Sequence, residues 1–250
     1  MPALALHAAV AGRIADQLRH RALAVDRGSL YLGSTAPDIH ILMGWDRERT
    51  HFFDLRELEE QSAVAAMFRA HPALARPADL SPPTVAFVCG YISHLVMDEV
   101  WIKDVYRPFF GRSSPMAGGP RANIMDRAVQ YDLDRQARTD RQAMSHIVKE
   151  LARPAQDLAV DFIDGGALVR WRELMTDSLN HSPDWERFRF FGGRALKTLG
   201  VDTPAAFAEF VKTLPDLVAE ATDYLSRERI EAFLEKSLDQ GRQAIKEYLD

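Results

Sequence analysis

An all-α fold, built as a single bundle-like domain of 250 residues, is predicted by three features of the sequence. Apolar residues recur every three to four positions through most of the chain, the period of one face of a helix. Segments rich in proline and glycine, such as Ser113 to Pro120, punctuate those stretches. No run of alternating β-branched residues bounded by turns calls for a sheet.

From Ala3 to about Leu23, the residues Leu4, Ala8, Ile14, Leu18 and Leu23 keep helical spacing, with Arg13, Asp16, Gln17, Arg19 and His20 between them. This is an amphipathic helix. His7 lies on the side of Leu4, Ala8 and Ile14 and is expected to face the interior, as a satisfied core residue or as a ligand. Leu32 to Asp38 then carries a glycine, a proline and small hydroxyl residues, which end a helix and turn the chain. Asp38 is expected on that loop, where an aspartate commonly caps the turn that follows. A short irregular polar stretch ends at Thr50-His51-Phe52-Phe53-Asp54, with His51 held at the edge of something apolar. Glu57 to Ala70 reads as a helix with Leu58, Ala65 and Phe68 on its apolar side. His71-Pro72 through Pro82-Pro83 reads as a proline-punctuated connection.

The helix that follows organises the chain. Val85, Phe87, Val88, Tyr91, Ile92, Leu95 and Val96 make it too apolar for a solvated helix, yet it carries His94 and, four residues on, Asp98. Residues i and i+4 stand one above the other, roughly 5–6 Å apart at Cβ, so both polar heads point the same way into the interior. A buried imidazole beside a buried carboxylate is costly unless each finds a partner. Either a plain His–Asp hydrogen bond or a divalent metal satisfies the pair.

This helix is expected to run to about Tyr106 and to stop at Arg107-Pro108. Arg121 to Arg138 resumes as a helix with Asp126, Gln130 and Asp134 at successive i+4 positions, where Arg127 and Arg135 could pair with them. Helical pattern continues through His146 and Glu150 to a stop at Pro154. Another helix spans about Ala167 to Leu179 and ends at Asn180-His181-Ser182-Pro183. Thr203-Pro204 reads as an N-cap followed by proline at the first helical position. Phe207, Phe210, Val211 and Leu214, then Ile230, Phe233, Leu234 and Leu238 on to Ile245 and Leu249, carry helical spacing to the end. The metal-bearing part is expected over about 1–138, with a C-terminal helical scaffold over about 139–250.

A net charge of −5 without a long block of like sign argues against general nucleic-acid binding. The single cysteine, Cys89, sits in the apolar run and cannot form an intrachain disulfide, so it is read as a buried thiol in a reducing compartment. The first residues have no basic region before the apolar part and are broken by His7 and Arg13. Neither a signal peptide nor a transmembrane segment is indicated, and the cytoplasm is the expected location.

Taken in order, His7, Pro37-Asp38, His51 and His94-x-x-x-Asp98 resemble the zinc-dependent phospholipase C family, whose fold single-strand-specific nucleases share. The resembling segments are GSTAPDI, THFFD and GYISHLVMDE, within roughly residues 5 to 135. The resemblance implies a multi-helix bundle of the phospholipase C and nuclease type. It makes Asp38, His51, His94 and Asp98 ligands of one metal ion, with Asp98 bridging to a second ion held partly by His7. Zinc is the implied metal, one to three ions, with manganese or iron as the other metals that carboxylate-rich sites accept.

The departures from the family pattern fall at its third metal. Asp104 stands where a histidine is expected after the His-x-x-x-Asp motif, and Asp126 and Gln130 stand where the family has a His-x-x-x-Glu pair. His146-x-x-x-Glu150 matches that pair literally but lies further along the chain. Asp126 is preferred by spacing, and His146 with Glu150 is expected to be a surface pair. Secreted members also use a free N-terminal amine, a role not carried over to a chain that keeps Met1 and Pro2.

The implied activity is hydrolysis of a phosphoric ester, phospholipid or another phosphodiester, by metal-activated water, with Asp38 orienting or deprotonating that water. A nuclease or small-molecule phosphodiesterase is the alternative within the same chemistry, and a non-catalytic metal-binding helical protein is the alternative outside it. Arg47, Lys103 and Arg107 are read as phosphate contacts or ordinary solvated charges. Phe52, Phe53, Trp101, Phe109 and Phe110 are read as a pocket lining or core.

Overall fold

The computed structural model describes residues 4–57, 59–153 and 157–250, apart from the side chain of Arg194. The described residues form α-helices, short 3₁₀ turns and one π-helical segment, with no strand among them, so the chain is all-α as the sequence predicts. The expected roles of Met1, Pro2, Ala3, Leu58 and Pro154 lie outside the described residues.

The first helix is shorter than its pattern. α1 spans Leu4–Leu18 and breaks at Arg19, which takes a left-handed φ of 50°. Leu23 falls instead on α2, Arg21–Val25, capped by His20. α3, Arg27–Thr35, starts on the Asp26 side chain and runs straight through Gly33. A 3₁₀ turn, Ala36–Asp38, joins it to α4, Ile39–Met43, and α5 follows at Glu48–His51. Asp38 is thus in a tight helical turn rather than a loop, and its side chain makes no cap hydrogen bond.

α6 covers only Ala63–Ala70, because Ser62 adopts an extended conformation and caps the Ala65 N–H. Its buried face is Ala63 and Met67, with Ala65 exposed. α7, Pro82–Val100, is the long central helix and continues as a π-helical segment, Trp101–Phe110, past Pro108. A proline blocks the carbonyl four residues back. In a π turn the ladder skips to the fifth residue, as in the Gly111 N–H to Tyr106 carbonyl bond of 2.7 Å. Pro82–Phe110 is long and apolar enough to cross a membrane, with a mean hydropathy of 1.4, but 89% of its most apolar window is buried inside the protein, as in a core helix.

α8 spans Pro120–Ala137, α9 Arg141–Leu151, α10 Gly165–Asn180, α11 Phe188–Thr198, α12 Pro204–Leu225 and α13 Arg227–Leu249. Thr203 caps α12 by accepting from the Ala206 N–H at 3.1 Å, with Pro204 behind it. Thr203→Ala is expected to cost about 1 kcal/mol of stability, read as a lower urea midpoint at unchanged slope.

The chain divides into two compact units. One comprises the described residues of Met1–Leu6 with Val100–Asp140 and Ser182–Lys236. In it α8 packs on α11, α12 and the π-helical segment, and Trp101 meets Phe233 edge-on at 4.9 Å. The other comprises His7–Glu99, Arg141–His181 and Ser237–Asp250. Its core is α7, with α3 packed on α9 and α10 packed on α9 and α4. Trp171 of α10 donates to the Thr35 hydroxyl at 3.1 Å, which ties the end of α3 in place.

Two glycines let α3 and α7 cross with backbones in contact. A Cβ on Gly33 would lie 2.0 Å from the Phe87 carbonyl oxygen, and one on Gly90 would lie 2.0 Å from that of Leu30. Only hydrogen fits there. This crossing brings the carbonyl of Ser34 to the side of His94.

Candidate metal centre

Five of the residues singled out in the sequence come together in the unit that contains α7. His7 of α1, Asp38 of the 3₁₀ turn, His51 of α5, and His94 and Asp98 of α7 are all buried, from fully enclosed for His94 to 8% exposed for Asp38. His7, His94 and Asp98 offer ligand atoms within 4.8 Å of one another, and so do Asp38, His51 and His94. The rings of His7 and His94 stack at 3.8 Å.

The backbone fixes how these rings point. His94 Nδ1 donates to the Ser34 carbonyl at 2.8 Å, and His51 Nδ1 faces the Arg47 carbonyl at 3.3 Å. With Nδ1–H engaged on a carbonyl, the neutral ring presents a bare lone pair at Nε2. α5 is held by the Thr50 hydroxyl donating to the Pro37 carbonyl at 2.7 Å and by the Tyr91 hydroxyl donating to the Thr50 carbonyl. After His51 the chain turns through Phe52 at a left-handed φ of 52°, held by ring contacts to His71, Tyr91 and Phe162.

The Nε2 atoms face carboxylate oxygens at distances that discriminate between the two partners the sequence left open. His51 Nε2 is 3.3 Å from Asp98 Oδ2 and 3.5 Å from Asp38 Oδ1. His94 Nε2 is 3.5 Å from Asp98 Oδ2, and His7 Nε2 is 3.5 Å from Asp98 Oδ1. A charge-assisted N–H···O bond is roughly 2.7–2.9 Å long. Two ligands about 2.0–2.1 Å from one tetrahedral zinc lie about 3.3–3.4 Å apart. Among the described residues, Nε2 of His7, His51 and His94 and Oδ1 of Asp98 are buried without a hydrogen-bond partner. Orphaned acceptors converging at this spacing fit a divalent cation.

The charges within the cluster are strongly coupled. Burial alone would raise both carboxyls, but the His94 charge and the neighbouring rings hold Asp98 well below the usual carboxylate range, and His51 and His94 do the same for Asp38. Burial and His94 push His7 down. Burial also acts to lower His94, yet Asp98 outweighs it and the net direction is up. Without a metal, the cluster therefore keeps both carboxylates charged and favours His94 over His7 for any proton.

Arg47, read in the sequence as a phosphate contact or a solvated charge, is largely covered and faces the cluster. Its Nη2 donates to Asp98 Oδ2 at 3.1 Å and its Nη1 to the Phe53 carbonyl at 3.4 Å, with 17% of the side chain exposed. The signal available in sequence was only its place four residues before His51.

The residues expected at a third metal are engaged in the other unit. Asp104 is paired with Lys236 at 2.6 Å, and Asp126 accepts from the Trp101 indole N–H at 2.9 Å. Asp134 accepts from the Ala5 and Leu6 N–H groups at the start of α1 and pairs with Arg138 at 2.7 Å. There it satisfies donors that the first turn leaves open. Gln130 is fully buried. His146 is exposed, whereas the Glu150 side chain is only 12% exposed and pairs with Arg153 at 2.7 Å, so the expected surface placement holds for His146 alone. Trp101, Phe53 and Phe110 are core residues.

Compared with known proteins, the chain matches no family model, no curated protein and no solved structure.

Proposed function

We propose that the chain is a metal-dependent phosphoric ester hydrolase of the kind its resemblance to zinc-dependent phospholipase C implies, acting on phospholipid or another phosphodiester. The observation that carries this reading is the set of His–Asp separations of 3.3 to 3.5 Å with the ring nitrogens orphaned. Asp38, His51, His94 and Asp98 would hold one ion, and Asp98 turns its other oxygen to His7. Two imidazoles and two carboxylates suit zinc, and also manganese or iron. Bound there, the ion supplies an activated water near neutral pH and neutralises charge on the phosphoryl oxygens. The Ser34 and Arg47 carbonyls keep the rings in the ligating tautomer. Asp38, the most exposed of the five, would orient that water.

The near-complete burial of the other four residues favours a second reading, a helical protein that holds metal for stability alone. Hydrolysis of bis(p-nitrophenyl) phosphate and of dihexanoyl phosphatidylcholine by the zinc-loaded protein separates the two. The hydrolase reading expects turnover that a chelator abolishes and that His94→Ala lowers about 100-fold or more. Fully loaded protein with no turnover on either ester supports the structural reading.

A further inference from the structure

Resting on the reading of the cluster as a metal centre, we propose that Arg47 is a built-in counter-cation that competes with the metal for Asp98 and thereby weakens and tunes metal binding. The guanidinium sits on Asp98 Oδ2, the same oxygen that the lone pairs of His51 and His94 approach at 3.3 and 3.5 Å. An ion gathered by those three groups meets a fixed positive charge on its own carboxylate.

Charge counting gives the sign. With neutral rings, Asp38 and Asp98 against Arg47 leave the metal-free cluster one negative charge, and a divalent ion turns that into one positive charge. Without the guanidinium, the same two states carry two negative charges and none. Like charges a few ångströms apart in a poorly solvated site repel strongly, and a net charge there is costly. Arg47 therefore stabilises the metal-free protein and opposes loading. Its route out exists, because the side chain keeps 17% exposure and a long flexible stem. The opposite role, an outer partner that orients a ligating carboxylate, would make its loss weaken binding.

The test is zinc affinity by competition with a chromophoric chelator, together with thermal unfolding in excess chelator, for wild type, Arg47→Gln and Arg47→Lys. Arg47→Gln is expected to bind zinc about tenfold more tightly or better, from the like-charge repulsion removed, and to melt at lower temperature when metal-free, whereas Arg47→Lys keeps the charge and stays near wild type in affinity. Should Arg47→Gln fail to fold in chelator, the zinc concentration at half-maximal refolding, compared with Arg47→Lys, reads the same difference. Equal or weaker binding by Arg47→Gln while wild type binds zinc overturns the inference alone. Absence of zinc binding in wild type and both variants overturns the metal reading on which it rests.

Discussion

Gly90→Ala is expected to be among the most damaging single substitutions in the chain, although it adds only one methyl group. The new Cβ would sit 2.0 Å from the Leu30 carbonyl oxygen and 2.7 Å from the Ser34 nitrogen. Both obstacles are backbone, so no side chain can rotate away and α3 must separate from α7. Overpacking a core costs roughly 1–3 kcal/mol, occasionally more; against two helical backbones we expect about 3 kcal/mol or above. The same displacement draws the Ser34 carbonyl away from His94 Nδ1, now 2.8 Å apart, and frees the ring to rotate. Zinc affinity should then fall by about tenfold. Gly165→Ala is the control, since a Cβ there meets nothing within 4 Å. Urea unfolding in chelator and a zinc titration measure both effects. Gly90→Ala as stable as Gly165→Ala would mean that α3 and α7 do not cross this closely.

Asp98→Ala should be as severe by a different route. Asp98 faces His7 through one oxygen and His51, His94 and Arg47 through the other. Its removal strips the cluster of its shared ligand, so metal binding should be lost. It also takes the carboxylate from a guanidinium that is only 17% exposed. Removing one partner of a buried ion pair costs about 3–5 kcal/mol, and the partial exposure of Arg47 puts the expectation at the lower end, about 3 kcal/mol in chelated protein. Chemical denaturation with and without zinc checks this: wild type should gain stability from zinc and Asp98→Ala should gain none. A zinc-dependent gain preserved in Asp98→Ala would place the metal elsewhere.

The parts of this site that sequence revealed are those written in local spacing. His94 and Asp98 declare themselves because two polar residues i,i+4 apart inside an apolar helix must share one buried direction. His7 follows from the face it shares with Ala8 and Ile14, all buried. Thr203 was legible because a cap is a contact between near neighbours. What sequence could not show depends on residues distant along the chain. Gly33 reads as a helix ender beside Pro37, but its use is the approach of Phe87 across the α3–α7 crossing. Arg47 lies in a polar stretch and looks solvated until Asp98, fifty-one positions away, is seen to face it. Asp126 has the spacing of a ligand on α8, and the indole of Trp101, twenty-five positions back, donates to its Oδ1. Pro108 marks a break in an α-helix and is passed in a π turn, which local pattern does not distinguish.

Metal content by inductively coupled plasma mass spectrometry tests the central claim most directly, on protein purified without a histidine tag or chelator, for wild type, His94→Ala and Asp98→Ala. At least one equivalent of zinc, manganese or iron in wild type, lost in both variants, is the result expected of a buried cation drawing His51, His94, Asp38 and Asp98 to their 3.3 to 3.5 Å separations. Wild-type protein that holds no metal and takes up none from a stoichiometric solution of these ions would contradict it, leaving a helical protein whose buried histidines and aspartates share a proton instead.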